Sequence, residues 1–209
     1  MKTVETLYAQ KAYQEAQNYL IKNQNSLSKG LWHYNMGTLF AKLEDWPMAR
    51  YHFVMANSQG YSSQELSLNQ RLVESKLSVD KWEKPLTLKD YMIRGATLGS
   101  EGIFTLIGLV ILIMGIFQLK NKSKKKSSLA ILSVSLLFFG LTFWISSWNW
   151  SIVLKSQALQ EGPSAIFNTK EEIPVGIKIL TRREGRWVRV IFPERFDGWI
   201  KDAELKELE

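Results

Sequence analysis

Apolar and polar positions follow three rhythms in turn along this chain of 209 residues. Before residue 80 they recur at helical spacing, between residues 102 and 148 polar positions nearly vanish, and after Ser151 short runs alternate in pairs. In the first stretch Leu7, Tyr13, Ala16 and Leu20 are echoed by Phe40, Trp46, Ala49 and Phe53, each pair 33 residues apart by subtraction. Such a period predicts stacked helical hairpins, with the small Ala16 and Ala49 where helices cross closely and aromatic residues filling the groove on either side. Residues 62–79 begin with serine and carry Leu66, Leu68, Leu72, Val73 and Leu77, so they predict a capping helix.

Residues 103–119 have only Thr105 and Gln118 as polar interruptions, and residues 129–148 carry only small hydroxyls and little else that is polar. With Gly102 the first reaches the lower edge of bilayer-spanning length and the second covers it alone, and they predict transmembrane helices at 102–119 and 129–148. Burying such a pair in a soluble core would need a larger protein shell than the remaining residues provide. Residues 80–101 form the expected linker, with a candidate interfacial helix, and residues 120–128 form a short basic loop. After Ser151 come SIVLK, VGIKIL, WVRVIF and FDGWI, with Glu184 and Gly185 supplying a hairpin turn. About fifty residues of this kind predict a small all-β barrel within residues 149–209. The expected architecture is a multidomain membrane protein: all-α hairpins at 1–79, a transmembrane helix hairpin, and a C-terminal β barrel.

Charge settles an orientation. Lys plus Arg against Asp plus Glu is 12 against 9 before Ser100, 5 against 1 from Ser100 to Ser128, and 10 against 10 afterwards, which makes up the net +7. The excess sits largely in one loop, Lys120, Lys122, Lys124, Lys125 and Lys126, and is too narrow for a nucleic-acid face. Basic residues in short loops stay in the cytoplasm, so these lysines are topology determinants and both large segments are expected on the periplasmic side of a bacterial inner membrane. Trp144, Trp148 and Trp150 suit the interfacial level at the far end of the second span. MKTVETLYAQKAYQ lacks the apolar core of a signal peptide, so either the hairpin is inverted or the true start lies upstream of Met1.

Candidate chemistry is sparse. The chain has no cysteine, hence neither a disulfide, a thiol nucleophile nor a thiolate metal site. His33 and His52 fall on successive helices of one repeat and can approach each other, but no carboxylate set accompanies them at metal-site spacing, so structural roles are expected. Gly95, Gly99 and Gly102 lead straight into an apolar run, unlike a phosphate-cradling loop. Glu171 and Glu172 are adjacent in an expected loop, whereas an acid–base pair needs facing positions. No cofactor, metal or catalytic residue is expected, and the chain reads as a non-enzyme.

HYNMGTLFAKLEDWPMARYHFVMANSQGY resembles a tetratricopeptide repeat. Asn35, Met36 and Gly37 stand where that family has N-L-G, Phe40 at its tyrosine, and Ala49 and Ala56 at its small packing residues, while Tyr61 departs from the usual proline. The first copy matches only from its middle onward. The resemblance implies a peptide-binding concave face at Tyr34, Thr38 and Lys42, without the lysine–asparagine clamp that one subclass uses for a terminal carboxylate. The order EGPS, IPVGIKIL, REGRWVRV and DGWIK is similar to bacterial SH3-like domains, which implies an envelope module with Trp187 and Trp199 as ligand-stacking or core residues. Helical repeats, two spans around a basic turn and an SH3-like module, in that order, resemble the BatE proteins of bacterial aerotolerance (Bat) operons. That resemblance implies a non-catalytic scaffold whose partners are membrane-anchored von Willebrand A-domain proteins. The alternative is a membrane-tethered protein whose SH3-like domain binds peptidoglycan.

Overall fold

The structure, a computed structural model, describes residues 3–98, 101–119, 125–201 and 205–208. Among them nine α-helices are followed by a seven-stranded sheet. Two compact units result: Met1–Lys84 together with Trp150–Glu209, and Pro85–Asn149. The first unit is therefore discontinuous in sequence, and the second is inserted into it.

The helical part of the first unit comprises α1 (Val4–Ala9), α2 (Tyr13–Lys22), α3 (Lys29–Lys42), α4 (Trp46–Ser58), α5 (Gln64–Leu77) and the short α6 (Asp80–Glu83). Polar side chains start the longer ones. Ser28, Asp45 and Ser63 accept the N–H of Leu31, Met48 and Leu66 at 3.4, 3.2 and 3.0 Å, satisfying donors that the first turn leaves open. The 33-residue period is also written in the backbone. Lys11 and Glu44 (44 − 11 = 33) both take left-handed conformations, with φ 59° and 62°. Just beyond them, Ala12 N–H donates to the Leu7 carbonyl at 2.9 Å and Asp45 N–H to the Phe40 carbonyl at 3.0 Å. Each pair forms the same helix-terminating turn. Tyr13 and Trp46 then open α2 and α4. Ala16, Ala49 and Ala56 are fully buried, and a Cβ on Gly37 would lie 2.7 Å from the Phe53 ring, so α3 and α4 meet at near-backbone separation.

The sheet contains β1 (Trp148–Val153), β2 (Gln157–Gln160), β3 (Thr169–Ile173), β4 (Lys178–Glu184), β5 (Trp187–Phe192), β6 (Gly198–Lys201) and β7 (Leu205–Glu207), in the order β3-β2-β6-β5-β4-β1-β7. It is antiparallel and open, with β3 and β7 at its edges, so a closed barrel does not form. A two-residue turn joins β4 to β5, with Gly185 at φ +67°, where the sequence places its hairpin. Glu171 and Glu172 lie on β3 and not in a loop. Val153, Leu159, Ile173, Ile177, Ile179, Val188, Val190, Phe196 and Ile200 form the sheet's core.

Helices and sheet, read from the sequence as separate domains, share a buried interior. Tyr51 and Met55 of α4 cluster with Ile152 of β1, and Trp82 of α6 packs on Phe196 with ring centroids 6.0 Å apart.

The second unit holds α7 (Leu88–Leu98), α8 (Glu101–Leu119) and α9 (Lys125–Ile145). Among the described residues one helix, Lys126–Ile145, is long and apolar enough to cross a membrane. Only 17% of its most apolar window is buried, which is the wrong sign for a soluble core helix. The first expected span is shorter: its apolar run Ile103–Leu119 covers 17 residues, about 26 Å of helix against about 30 Å of hydrocarbon. Two seryl hydroxyls stitch α8 to α9. Ser128 Oγ donates to the Gly115 carbonyl at 2.5 Å and Ser135 Oγ to the Gly108 carbonyl at 2.8 Å. Seven residues separate the members on each helix, and they run in opposite directions, so the helices are antiparallel. A Cβ on Gly115 would fall 2.8 Å from Leu132. Small residues thus set the approach of two apolar helices.

Candidate functional site

Arg50 is the most enclosed charge at the junction of helices and sheet, its side chain 6% exposed. Both its terminal nitrogens donate to Glu83, Nη1 to Oε1 and Nη2 to Oε2 at 2.8 Å. Nη1 also reaches the Gly176 carbonyl at 2.6 Å, Glu74 stands 3.6 Å from Nη2, and Glu83 Oε1 accepts the Lys178 N–H at 2.5 Å. One bidentate carboxylate therefore ties α4, α6 and the start of β4 together.

Beside this seam His33 and His52 meet, Nδ1 to Nδ1 at 2.9 Å, so one ring donates its proton to the other's lone pair. Trp32, Phe40 and Tyr51 surround the pair, Phe40 lying nearly parallel to His52 at 5.2 Å. Burial first, then His33 and Lys206, lower the His52 pKa to about 3. Burial, then Lys206 and Lys29, also lower that of His33. The two imidazoles are neutral at pH 7 and act as an uncharged polar clasp between α3 and α4. They supply two nitrogen donors, and among the described residues no group of three or more His, Asp or Glu converges.

The three residues singled out on α3 are one turn apart and share a face, but each is occupied within the chain. Tyr34 stacks on Tyr61 at 4.9 Å, and burial first, then Tyr61, raises its pKa. Thr38 Oγ1 donates back to the Tyr34 carbonyl at 2.9 Å, and Lys42 Nζ stands 5.9 Å above the Tyr8 ring. Tyr61, which follows α4, is thus the stacking partner of Tyr34.

On the sheet, Trp187 and Trp199 lie on the outer face, half-exposed, because Val188, Val190 and Phe192 take the inward positions of β5 and Ile200 that of β6. Packing into a barrel core is therefore not their role. Arg182, Arg189, Trp199 and Gln160 form one cross-strand row over β4, β5, β6 and β2. The Arg189 guanidinium sits 5.8 Å from the Trp199 ring and 3.4 Å from Asp197, while Trp187 faces Lys201 across the ladder. This is a shallow aromatic and cationic surface, suited to stacking on a flat ligand or to gripping an acidic peptide. Trp150, expected at a membrane interface, instead packs edge-on against Phe192 and under Lys178. Trp144 and Trp148 contact each other at 4.7 Å.

Of the topology lysines, Lys120, Lys122 and Lys124 lie outside the described residues, Lys125 opens α9, and Lys126 is exposed. No protein-family model, curated protein or solved structure matches the chain.

Proposed function

We propose that this protein is a non-catalytic inner-membrane scaffold in which α8 and α9 cross the bilayer as a hairpin and the helix–sheet unit presents protein-binding surfaces. The observation that carries this reading is the discontinuity of that unit. Residues before and after the apolar helices share buried side chains, and Arg50 and Glu83 before them hydrogen-bond Gly176 and Lys178 after them, so they stand on one side of any membrane. A single crossing would separate them. Since α9 meets the length for spanning, α8 must cross too, and its shortfall is a few ångströms of mismatch that local thinning accommodates. The lysines between them favour a cytoplasmic turn, with both flanking segments in the periplasm.

Resemblance to the BatE proteins supports a role in the envelope, with von Willebrand A-domain membrane proteins as the partners, a tetratricopeptide character for α1–α5 and a bacterial SH3-like character for the sheet. The outer surface around Trp187 and Trp199 favours one second reading, attachment to peptidoglycan.

Because the chain lacks cysteine, Gln64→Cys, Ser127→Cys and Arg186→Cys report on topology directly in intact cells. A membrane-impermeant maleimide should label the first and third but not the second. Labelling at Ser127→Cys alone inverts the hairpin and moves the partners to the cytoplasm. Labelling that differs between Gln64→Cys and Arg186→Cys sinks the two-crossing scaffold. A photocrosslinker at position 199 should then trap a membrane protein, whereas co-sedimentation of the intact protein with purified cell wall, lost in Trp199→Ala, would establish the peptidoglycan reading instead.

A further inference from the structure

The exposed face of α7 has no use in the scaffold reading so far. Leu88, Tyr91 and Met92 fall on one side of this helix and are 77%, 58% and 67% exposed, and Leu86 in the preceding turn is 68% exposed. Ile93 and Asp90, on the opposite side, are 8% and 1% exposed. The helix is thus oriented with apolar residues outward, the reverse of a surface helix in water. Its first turn is fastened that way: Asp90 Oδ2 accepts the Leu86 N–H at 3.1 Å, and Thr87 Oγ1 accepts the Asp90 N–H at 3.1 Å.

We infer that α7 is a lipid-recognition helix lying in the headgroup layer of an anionic leaflet, with Leu88, Tyr91 and Met92 in the acyl boundary and Arg94 toward lipid phosphate; the inference rests on the membrane reading above. Two observations choose lipid over a soluble partner. The first is continuity. Ile103, the first exposed apolar residue of α8, is five positions after Leu98, and an extended chain of that length spans at most about 18 Å. The end of α7 therefore cannot leave the neighbourhood of the bilayer that α8 enters. The second is charge. At 3.6 residues per turn, Lys89 and Arg94 border the apolar stripe on its two sides, where basic side chains reach from an apolar bed to headgroups. The helix's one acidic residue, Asp90, is buried on the other face, so the outward surface is apolar and positive. The phenol of Tyr91 suits the same depth.

The test uses the full chain, reconstituted into vesicles of phosphatidylcholine alone or of equal parts phosphatidylcholine and phosphatidylglycerol. Single variants Met92→Cys and Leu136→Cys carry a fluorophore quenched by lipid spin-labelled near the headgroup or at the chain end, respectively. Leu136 is exposed in the middle of α9 and reports on the hairpin alone. The expected result is deep quenching at position 136 and shallow quenching at 92, stronger with phosphatidylglycerol. Adding Arg94→Gln should lower the ratio of docked to free α7 about fivefold in the anionic vesicles and leave the neutral ones unchanged. Quenching at 136 without quenching at 92 overturns the inference and leaves the membrane reading standing. Equal quenching at 92 in both vesicle types overturns recognition of anionic lipid. Absence of quenching at 136 overturns the membrane reading and the inference with it.

Discussion

Replacing Glu83 by glutamine removes a charge from the helix–sheet junction while keeping the side chain's shape. The carboxylate there accepts from Arg50 Nη1, from Arg50 Nη2 at 2.8 Å and from the Lys178 N–H at 2.5 Å. The amide oxygen can keep the two donors that converge on Oε1, but its NH2 then faces Arg50 Nη2, so one contact is lost outright and the other two lose the acceptor's charge. Hydrogen bonds to charged groups contribute about 1.5–3 kcal/mol each, about twice as much as neutral ones, so one lost and two halved put the loss at about 3–6 kcal/mol before relaxation. Water reaches Glu83, 19% exposed, more readily than Arg50, 6% exposed, so part of the loss is recovered at one partner only. Breaking buried pairs one-sidedly costs about 3–5 kcal/mol, and that is the expected destabilisation. It is a large share of the about 5–15 kcal/mol typical of a folded domain. Urea unfolding in detergent, followed by near-ultraviolet circular dichroism, measures it. The companion variant Arg50→Met with Glu83→Leu removes both charges and should be less destabilised than Glu83→Gln alone. A change below about 1 kcal/mol in Glu83→Gln, or losses in the two single variants that simply add in the double, would refute the view that this pair fastens helices to sheet.

Acid should weaken the same unit. The His52 pKa is lowered to about 3 in the folded chain against 6.5 unfolded, so the unfolded chain binds the proton first as pH falls. Stability is then full above pH 6.5 and declines toward pH 3, by about 2 kcal/mol at pH 5, a slope that His52→Phe should flatten in unfolding titrations. Glu44, at φ 62°, carries a side chain where glycine is preferred; Glu44→Gly should raise the unfolding free energy by about 1 kcal/mol, and the same experiment reads it. In the apolar hairpin, Gly115→Val should cost more than Ser135→Ala, because its side chain meets Leu132 whereas the serine loses one hydrogen bond of about 0.6 kcal/mol; dodecyl sulfate titration in micelles ranks them, and the reverse order would show that the hydroxyls, not the close approach, hold the helices.

The helical period was legible because packing residues repeat wherever the backbone does: Tyr13 and Trp46 start helices, and Ala16 and Ala49 are buried. Strand β5 was legible as an alternating run. Strands β2 and β3, QALQ and TKEEI, were not, since short strands with polar outward faces carry no clear two-residue signal; pairing with neighbours makes them strands. Helix α9 begins at Lys125, four residues before the apolar run, because lysine and serine extend a helix that hydropathy alone would start later. The Arg50 seam was invisible for a different reason. Its partners Glu83 and Gly176 lie 33 and 126 residues away, and no local pattern announces a contact at that separation.

The discontinuous unit also has a history in time. Strand β1 pairs with β7 through Ser151–Glu207 and its neighbours, so the sheet's edge is completed by residues synthesised well after α4. Until then α4 offers Arg50, Tyr51 and Met55 to solvent without the strands that cover them. The junction can close only after the strands that follow the apolar helices have been made. On the proposed two-crossing topology, a chain inserted with one crossing would leave the junction open, with Tyr51 and Met55 uncovered and the Arg50 contact to Gly176 unmade. On that topology, correct insertion and correct folding are read out by a single event.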